Sequence, residues 1–219
     1  MLRIVVIVGR FVLAALSLAG VIIQLSITVA SNFGVVNFFS YFTILSNLFA
    51  SFVFIVSAVR LARGYTPTTT DVAIRGASVV YMVFVGVVFN VLLRDVELGG
   101  LLPWINVVHH LVMPIAVIVD WLVWPPKQRI SLRTALLWVI FPVVYTVYSL
   151  VRGAVTGFYP YPFFSPVVQK GYGGVALYCA MMLVGFVLLA LLIRWSGNVR
   201  VKERESGTDQ PAESSSLQD

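Results

Sequence analysis

The sequence predicts an all-α, polytopic membrane protein built as a bundle of six transmembrane helices. Of its 219 residues, 59% are hydrophobic and only 11% are charged, and the mean hydropathy is +0.95. A soluble domain carries roughly 25% charged residues. About 20 apolar residues cross a membrane, and six stretches qualify, namely 4–29, 38–61, 74–93, 103–124, 132–151 and 173–195. They occupy nearly the whole chain, so no separate soluble domain is expected.

The positive charges are distributed unevenly between the two ends of these six spans. The formal net charge is +6, but only three basic residues, Arg94, Arg152 and Lys170, fall at the end opposite the termini. The other twelve lie at the end that carries both termini. The positive-inside rule therefore predicts that both termini are cytoplasmic. Since topology and anionic lipid headgroups account for the basic balance, nucleic acid is not an expected partner.

The two ends of the chain and its single cysteine lead to three further expectations. The first apolar run is longer than the roughly 7–15 residues of a cleaved signal sequence, so it is predicted to remain as the first span. Residues 196–219 are rich in Ser, Glu, Asp and Gln, and are predicted to form a disordered cytoplasmic tail. Cys179 stands alone, so no internal disulfide is expected. The oligomeric state stays open.

Polar side chains recur at helical spacing near the outer ends of four spans. They are Ser40, Thr43 and Asn47 on the second, Asn90 and Arg94 on the third, Asn106 and His110 on the fourth, and Tyr145, Tyr148 and Arg152 on the fifth. Residues three or four apart share one face of a helix. At 1.5 Å per residue, Thr43 lies roughly 8 Å and His110 roughly 10 Å below the outer span ends. This pattern predicts a polar cavity that opens toward the outer leaflet.

Thr43 and His110 are the candidate catalytic pair, because a hydroxyl and an imidazole are the minimum set for nucleophilic chemistry. Hydrocarbon favours the neutral imidazole that a general base needs. Pro114 has no N–H to bond the His110 carbonyl, so a kink is expected there. His109 points about 100° away around the helix and is the weaker candidate. For an isolated threonine, a hydrogen bond back to its own helix is the more common interpretation.

No metal or cofactor is expected. Two adjacent histidines on a regular helix cannot both face one ion, and there is no Cys/His zinc pattern. The chain also lacks a G-x-S-x-G elbow, an H-E-x-x-H motif and a phosphate-binding glycine loop. The segment RGASV at 75–79 is superficially like the serine motif of rhomboid-type proteases. It lacks the following glycine, however, and lies near the cytoplasmic end.

Three motifs together resemble the androgen-induced family of six-span membrane hydrolases, in its bacterial-type branch. They are Tyr41-Phe42-Thr43, then WINVVHHLVMP at 104–114, then VTG at 155–157 followed by YPF at 161–163. Members of that family are threonine-type enzymes that cleave fatty acid esters of hydroxy fatty acids. The resemblance covers most of the chain. It implies that Thr43 is the nucleophile and that His110 is its catalytic partner.

The resulting hypothesis is a lipid ester hydrolase of the cell membrane, with membrane lipids and a lipid ester as its partners. The candidate oxyanion donors are Asn47, Asn90 and Asn106, and the residues give no basis for choosing among them. Tyr148 and Arg152 are candidate substrate contacts, and Arg152 or Arg94 is a candidate ligand for a fatty-acid carboxylate. Asp120 is expected to pair with Lys127 or Arg129.

Two alternatives to an enzyme stay open. One is a non-enzymatic lipid- or small-solute-binding protein or carrier that uses the same pocket. The chain has no evident internal repeat, which many transporters carry, so ion-coupled transport is less favoured. The other alternative is a structural membrane subunit in which Thr43 and His110 only join helices.

Overall fold

The structure is a computed structural model that describes residues 1–96 and 100–208, with side chains as far as Glu203. This part of the chain is helical and contains no strand. The α-helices are α1 Leu2–Ala30, α2 Val35–Phe39, α3 Phe42–Ala62, α4 Thr69–Val88, α5 Pro103–Val107, α6 Met113–Val123, α7 Leu132–Leu137, α8 Ile140–Thr156 and α9 Tyr172–Thr208. Two π-helical turns, Phe89–Leu93 and Val108–Val112, extend α4 and join α5 to α6.

Six segments are long and apolar enough to cross a membrane, which confirms the predicted six-helix, all-α class. They are Leu2–Ala30, Phe42–Ala62, Thr69–Leu93, Pro103–Val123, Leu132–Thr156 and Tyr172–Glu203. An even number of crossings puts both ends of the chain on the same side. We call that side the inner end and the opposite side the outer end, following the orientation predicted from the charges.

The second span begins later than the sequence pattern predicts, at Phe42 and not at Phe38. The short helix α2 ends at Phe39, and Tyr41 is extended, with φ −82° and ψ 126°. The Ser40 hydroxyl donates to the Val36 carbonyl, and the Tyr145 hydroxyl donates to the Ser40 carbonyl. These side-chain bonds compete with a continuous helix. Thr43 therefore lies in the first turn of α3, nearer the outer end of its helix than expected.

The fourth span changes to a π-helical turn where Pro114 was predicted to disturb it. The His110 carbonyl, which Pro114 cannot pair, accepts a hydrogen bond from the Asn90 side chain of the third span at 3.4 Å. Pro114 itself packs against Gly86, where an added Cβ would come within 2.9 Å of the proline ring. The third span thus supplies the partner for an irregular stretch of backbone in the fourth span, which a membrane does not tolerate unpaired.

At the inner end, Asp120 has different partners from those expected. Its two carboxylate oxygens lie 2.7 Å from Arg10 Nε and 2.7 Å from Arg75 Nη2, in place of Lys127 or Arg129. Lys127 and Arg129 follow the end of α6 and its two prolines, whereas Arg10 and Arg75 project from α1 and α4 into the bundle. A charge in the interior pairs with charges that are also withdrawn from water, so tertiary position decided the pairing.

The predicted tail boundary at residue 196 is too early, because α9 continues to Thr208. Trp121 donates to the Ser196 hydroxyl, and the Ile130 amide donates to the Asn198 side chain at 2.7 Å. Val201 is buried. These contacts with α6 and with the loop after it hold the segment from residue 196 onward against the bundle. Its composition alone predicts no such packing. Residues 209–219 of the predicted tail lie outside the described part of the chain.

Candidate active site

Thr43 lies in the first turn of α3, where backbone N–H groups have no partner within the helix. Two tyrosine hydroxyls from other elements accept these bonds. Tyr145 of α8 accepts from the Phe42 amide at 3.2 Å, and Tyr161, in the outer loop between α8 and α9, accepts from the Thr43 amide at 3.3 Å. The start of this helix is therefore fixed by tertiary contacts, and these contacts also fix the position of Thr43.

His110 and Thr43 come within hydrogen-bonding distance. His110 Nε2 lies 3.3 Å from Thr43 Oγ1, although the two residues are 67 positions apart in the chain. His110 Nδ1 lies 3.1 Å from the Asn106 carbonyl oxygen and 2.6 Å from Asn106 Oδ1. A carbonyl oxygen only accepts, so Nδ1 carries the proton. This tautomer leaves the Nε2 lone pair directed at the Thr43 hydroxyl.

Asn106, His110 and Thr43 form a hydrogen-bonded row, which has the same order as the orienting group, base and nucleophile of a catalytic triad. Phe89 packs parallel to the His110 ring, with centroids 3.8 Å apart and an interplanar angle of 16°. His110 is 5% exposed. Stacking on one side and the Asn106 bond at Nδ1 together restrict rotation of the imidazole. The histidine is thereby held in the orientation that proton exchange with Thr43 requires.

Tyr161 is the functional candidate that analysis of the sequence did not identify. Its hydroxyl lies 3.3 Å from Thr43 Oγ1 as well as 3.3 Å from the Thr43 amide. Burial raises the pKa of Tyr161 to about 12, so the hydroxyl keeps its proton at neutral pH and can donate. Tyr161 is the first residue of the YPF motif. Nothing in the local sequence, however, shows that the loop folds back onto the start of α3.

His109 faces away from Thr43, as its helical position predicted. Its Nε2 lies 3.1 Å from the Ser17 carbonyl of α1, and its ring packs against Gly20, where a Cβ would come within 2.9 Å of Nε2. Because the Ser17 carbonyl only accepts, this nitrogen donates. His109 therefore joins the fourth span to the first, while its neighbour joins the fourth span to the second.

The three candidate asparagines occupy three different roles in the structure. The Asn47 amide, fully buried, donates to the carbonyls of Thr43 and His109, and its oxygen accepts from Ser17. The Asn90 amide donates to the carbonyls of Gly86 and His110. Asn106 orients His110. The structure thus engages each asparagine in holding helices or the histidine, and brings none of their amide groups to Thr43 Oγ1.

The two candidate substrate contacts on the fifth span lie farther out. The Tyr148 hydroxyl is 3.0 Å from the Ser40 hydroxyl. Arg152 donates to Asn37 Oδ1 at 2.6 Å, and its guanidinium lies 4.8 Å from the centroid of the Phe158 ring. Neither residue lines the cavities that adjoin Thr43. Arg94 is exposed just beyond the third span. The contacts of Tyr148 and Arg152 therefore fix α2 and the residue after it, which precede Thr43 in the chain.

Two cavities adjoin the pair, and Thr43 and Tyr161 line both. The outer cavity, of about 560 Å³, is further lined by His110, Thr28 and Asn32 and extends to Gly100 at the outer end. The lateral cavity, of about 260 Å³, lies between α4, α8 and α9 and is lined mainly by apolar side chains such as Val88, Val147 and Leu183. The polar cavity predicted from four spans is matched only in part: of its predicted polar residues, Thr43 and His110 border the outer cavity, Thr43 and Tyr145 border the lateral one, and the others border neither.

Comparison of this chain with protein-family models, with curated proteins and with solved structures finds no match. Within the described residues, no group of three His, Cys, Asp or Glu side chains lies close enough together to hold a metal ion. The geometry of Thr43, His110, Asn106 and Tyr161 is therefore the basis for any functional assignment.

Proposed function

We propose that this chain is a threonine-type lipid ester hydrolase of the cell membrane. The observation that carries the proposal is the hydrogen-bonded row Asn106, His110 and Thr43, with the Nε2 lone pair 3.3 Å from the hydroxyl. A polar row of this kind is costly to keep in an apolar bundle. Its members come from two different spans, and Thr43 and His110 border a cavity large enough for part of a lipid.

The first half of the reaction forms an acyl-enzyme. Thr43 Oγ1 attacks the ester carbonyl carbon while its proton passes to His110 Nε2. The tetrahedral intermediate then collapses, the bond from the carbonyl carbon to the alcohol oxygen breaks, and His110 returns the proton to that oxygen. Asn106 keeps the second ring nitrogen protonated and stabilises the imidazolium that forms during the step.

The second half regenerates the threonine. A water molecule attacks the acyl carbon and gives one proton to His110 Nε2. The bond to Thr43 Oγ1 then breaks, and the same proton returns to the threonine oxygen. One ester and one water are consumed, and one fatty acid and one alcohol are released, with no cofactor in the balance.

Negative charge develops on the carbonyl oxygen in both halves, and a neutral threonine is a weak nucleophile. Donors at the site must therefore supply much of the rate. The Tyr161 hydroxyl lies 3.3 Å from Thr43 Oγ1 and accepts from the Thr43 amide, so that amide is already paired, as the asparagine amides are. The start of α3 also carries a partial positive charge, which favours an anion. We assign the oxyanion donor to the Tyr161 hydroxyl, and not to an asparagine.

The motifs quoted above agree with this assignment, and membership of the androgen-induced family is part of the proposal. A cytoplasmic location of both termini is also part of it. In that orientation the outer cavity faces the cell exterior, and the Arg10, Arg75 and Asp120 cluster lies near the cytoplasm. Membrane lipids are the proposed source of substrate.

Tyr161→Phe tests the oxyanion assignment. Removing this hydroxyl is expected to lower kcat by about 10²–10³-fold, with KM changed little, because the donor acts mainly in the transition state. Steady-state hydrolysis of p-nitrophenyl butanoate in detergent measures both constants. Tyr159→Phe in the same loop is the matched control, since its ring packs against Gly153 of α8. An increase in KM with kcat unchanged would instead assign Tyr161 to substrate binding.

Labelling with a fluorophosphonate probe tests the proposed function itself. Thr43 Oγ1 would bond to phosphorus, fluoride would leave, and the proton would pass to His110. The purified wild type is expected to be labelled, and folded Thr43→Ala and His110→Ala are expected not to be. Thr156→Ala is the control, because that hydroxyl bonds the Arg152 carbonyl and the Phe158 amide at the end of its own helix and lines neither cavity. Labelling that survives Thr43→Ala would remove the proposal and favour a binding protein.

A further inference from the structure

The two cavities meet at the reacting atoms from different sides. Both are lined by Thr43 and Tyr161, but His110 lines only the outer cavity among the residues described. An ester carbon bonded to Thr43 Oγ1 has two substituents to place, an acyl chain and a departing alcohol. Each cavity can therefore hold one half of the ester.

The position of His110 decides which half of the ester occupies which cavity. The histidine must deliver its proton to the alcohol oxygen as the bond breaks, so that oxygen has to lie on the Nε2 side of Thr43. The water that later cleaves the acyl-enzyme must approach the same nitrogen. Both requirements place the alcohol, and afterwards the water, in the outer cavity. The acyl chain is left with the lateral cavity.

The linings of the two cavities agree with this division. The lateral cavity is walled by apolar side chains, and Val143, Val147 and Leu183 are also exposed on the surfaces of α8 and α9. It therefore opens toward the membrane-facing side between these two helices. A hydrocarbon chain can enter there without crossing water, and a released fatty acid can leave the same way.

The outer cavity is suited to the other product. Thr28, Ser31 and Asn32 border it, and the last two are exposed at the outer end of the bundle. Gln24 bonds the Gly100 carbonyl and the Leu102 amide, which holds the far wall in place. A polar alcohol or a water molecule passes through such an opening, and Ile27, Phe33, Phe38 and Leu101 provide apolar surface for the carbon skeleton of the alcohol.

We infer, resting on the proposed function, that the substrates are esters of long-chain fatty acids whose acyl chain enters the lateral cavity from the bilayer and whose alcohol half occupies the outer cavity. Acyl length is then selected by residues of α4, α8 and α9. The alcohol is selected by residues of α1 and the outer loops. The fatty acid returns to the membrane, and the alcohol leaves at the outer face.

Val88→Phe is the test on the acyl side, because Val88 is partly buried and lines the lateral cavity. It is expected to lower the ratio of p-nitrophenyl palmitate to p-nitrophenyl butanoate hydrolysis by at least about 10-fold, the discrimination that a few methylenes provide in an apolar pocket. Val87→Phe is the matched control, since Val87 is 53% exposed and lines neither cavity. An unchanged ratio in folded Val88→Phe would overturn the assignment.

Leu183→Trp provides a second acyl-side variant that does not depend on a buried substitution. Leu183 lies at the mouth of the lateral cavity and is 45% exposed, so the larger ring is accommodated on the lipid side. It should lower the same ratio. Leu188→Trp, at an exposed position outside the cavity, should not. An equal effect of both tryptophans would count against the lateral route.

Thr28→Phe tests the alcohol side, with Val29→Phe as its control. The assay is palmitate release from hexadecyl palmitate relative to methyl palmitate. Thr28→Phe should lower this ratio, and Val88→Phe should act on the acyl ratio instead. The opposite pattern would reverse the assignment of the two cavities. Hydrolysis that persists in Thr43→Ala would instead contradict the proposed function. A failure of the cavity assignment and a failure of the proposed function are therefore distinguishable.

A binding experiment without turnover completes the test. Folded Thr43→Ala protein is irradiated with a diazirine-bearing palmitate, and the labelled peptide is identified by mass spectrometry. Label on the α8 or α9 residues of the lateral cavity supports the inference. Label on α1 or on Gly100 and Leu101 of the outer cavity contradicts it.

Discussion

His110→Ala is expected to lower ester hydrolysis by about 10⁴-fold and to abolish fluorophosphonate labelling. The substitution removes the imidazole nitrogen that lies 3.3 Å from Thr43 Oγ1 and can accept its proton, a role that the neutral Tyr161 hydroxyl, a far weaker base, cannot take over. General acid–base catalysis contributes roughly 10²–10⁴-fold, and removal of one member of a catalytic row often costs the whole gain. Hydrolysis per folded molecule and labelling both measure the loss.

The double variant Thr43→Ala/His110→Ala should be no less active than either single variant. Groups that act as one unit lose their contribution together, so the second substitution has nothing left to remove. Asn106→Ala should lie between wild type and His110→Ala, with a loss of about 10²-fold, because it frees the ring without removing it. Independent, multiplying losses would mean that Thr43 and His110 do not share one reaction.

His109→Ala provides the neighbouring comparison. That ring bonds the Ser17 carbonyl and packs on Gly20, so its removal should chiefly lower the melting temperature. Folded His109→Ala should still be labelled. If His109→Ala and not His110→Ala abolished labelling, the wrong histidine would have been assigned, and the row through Asn106 would have no catalytic meaning.

Asp120→Ala is expected to cost about 3–5 kcal/mol of stability. The carboxylate lies between Arg10 and Arg75, which are 3% and 7% exposed. Without it, two arginines from α1 and α4 face each other inside the bundle with no counter-charge, and leaving a buried charge unpaired is strongly destabilising. Thermal unfolding in detergent, followed by far-ultraviolet circular dichroism, measures the loss.

Arg60→Gln is the control for the loss of an ion pair as such. Arg60 bonds Asp71 at 3.0 Å, but its side chain is 38% exposed, so the substitution should cost less than about 1 kcal/mol. Arg10→Leu should also cost less than Asp120→Ala, because Arg75 and Asp120 then remain as a neutral pair. Equal losses from Asp120→Ala and Arg60→Gln would refute a central role for the buried cluster.

Much of the fold is predictable because a membrane imposes one requirement on every span. Each crossing needs about 20 apolar residues whose backbone is paired internally, and composition alone reveals such segments. Local signals fail where a tertiary bond competes with the helix. Phe38 is as apolar as Phe42, and the break between α2 and α3 coincides with the bonds that Ser40 makes with Val36 and Tyr145.

The candidate site was predictable where helical spacing decides which face a residue occupies. Asn106 and His110, four residues apart, share a face, and His109 is directed elsewhere. The roles of the asparagines were not predictable. Whether an amide is free depends on carbonyls that other helices present, such as the His110 carbonyl that Pro114 leaves for Asn90. The role of Tyr161 depends on a loop that no periodic pattern describes.

The sequence by itself determined the class of protein, the number of spans and the two residues at the centre of the candidate site. These properties depend on composition and on helical periodicity, which every segment carries locally. Only the tertiary structure decided that Thr43 lies in the first turn of a helix, that Tyr161 contacts it and that Asp120 joins Arg10 to Arg75. Each of these is a contact between residues far apart in the chain, and its energy exists only once the helices have packed.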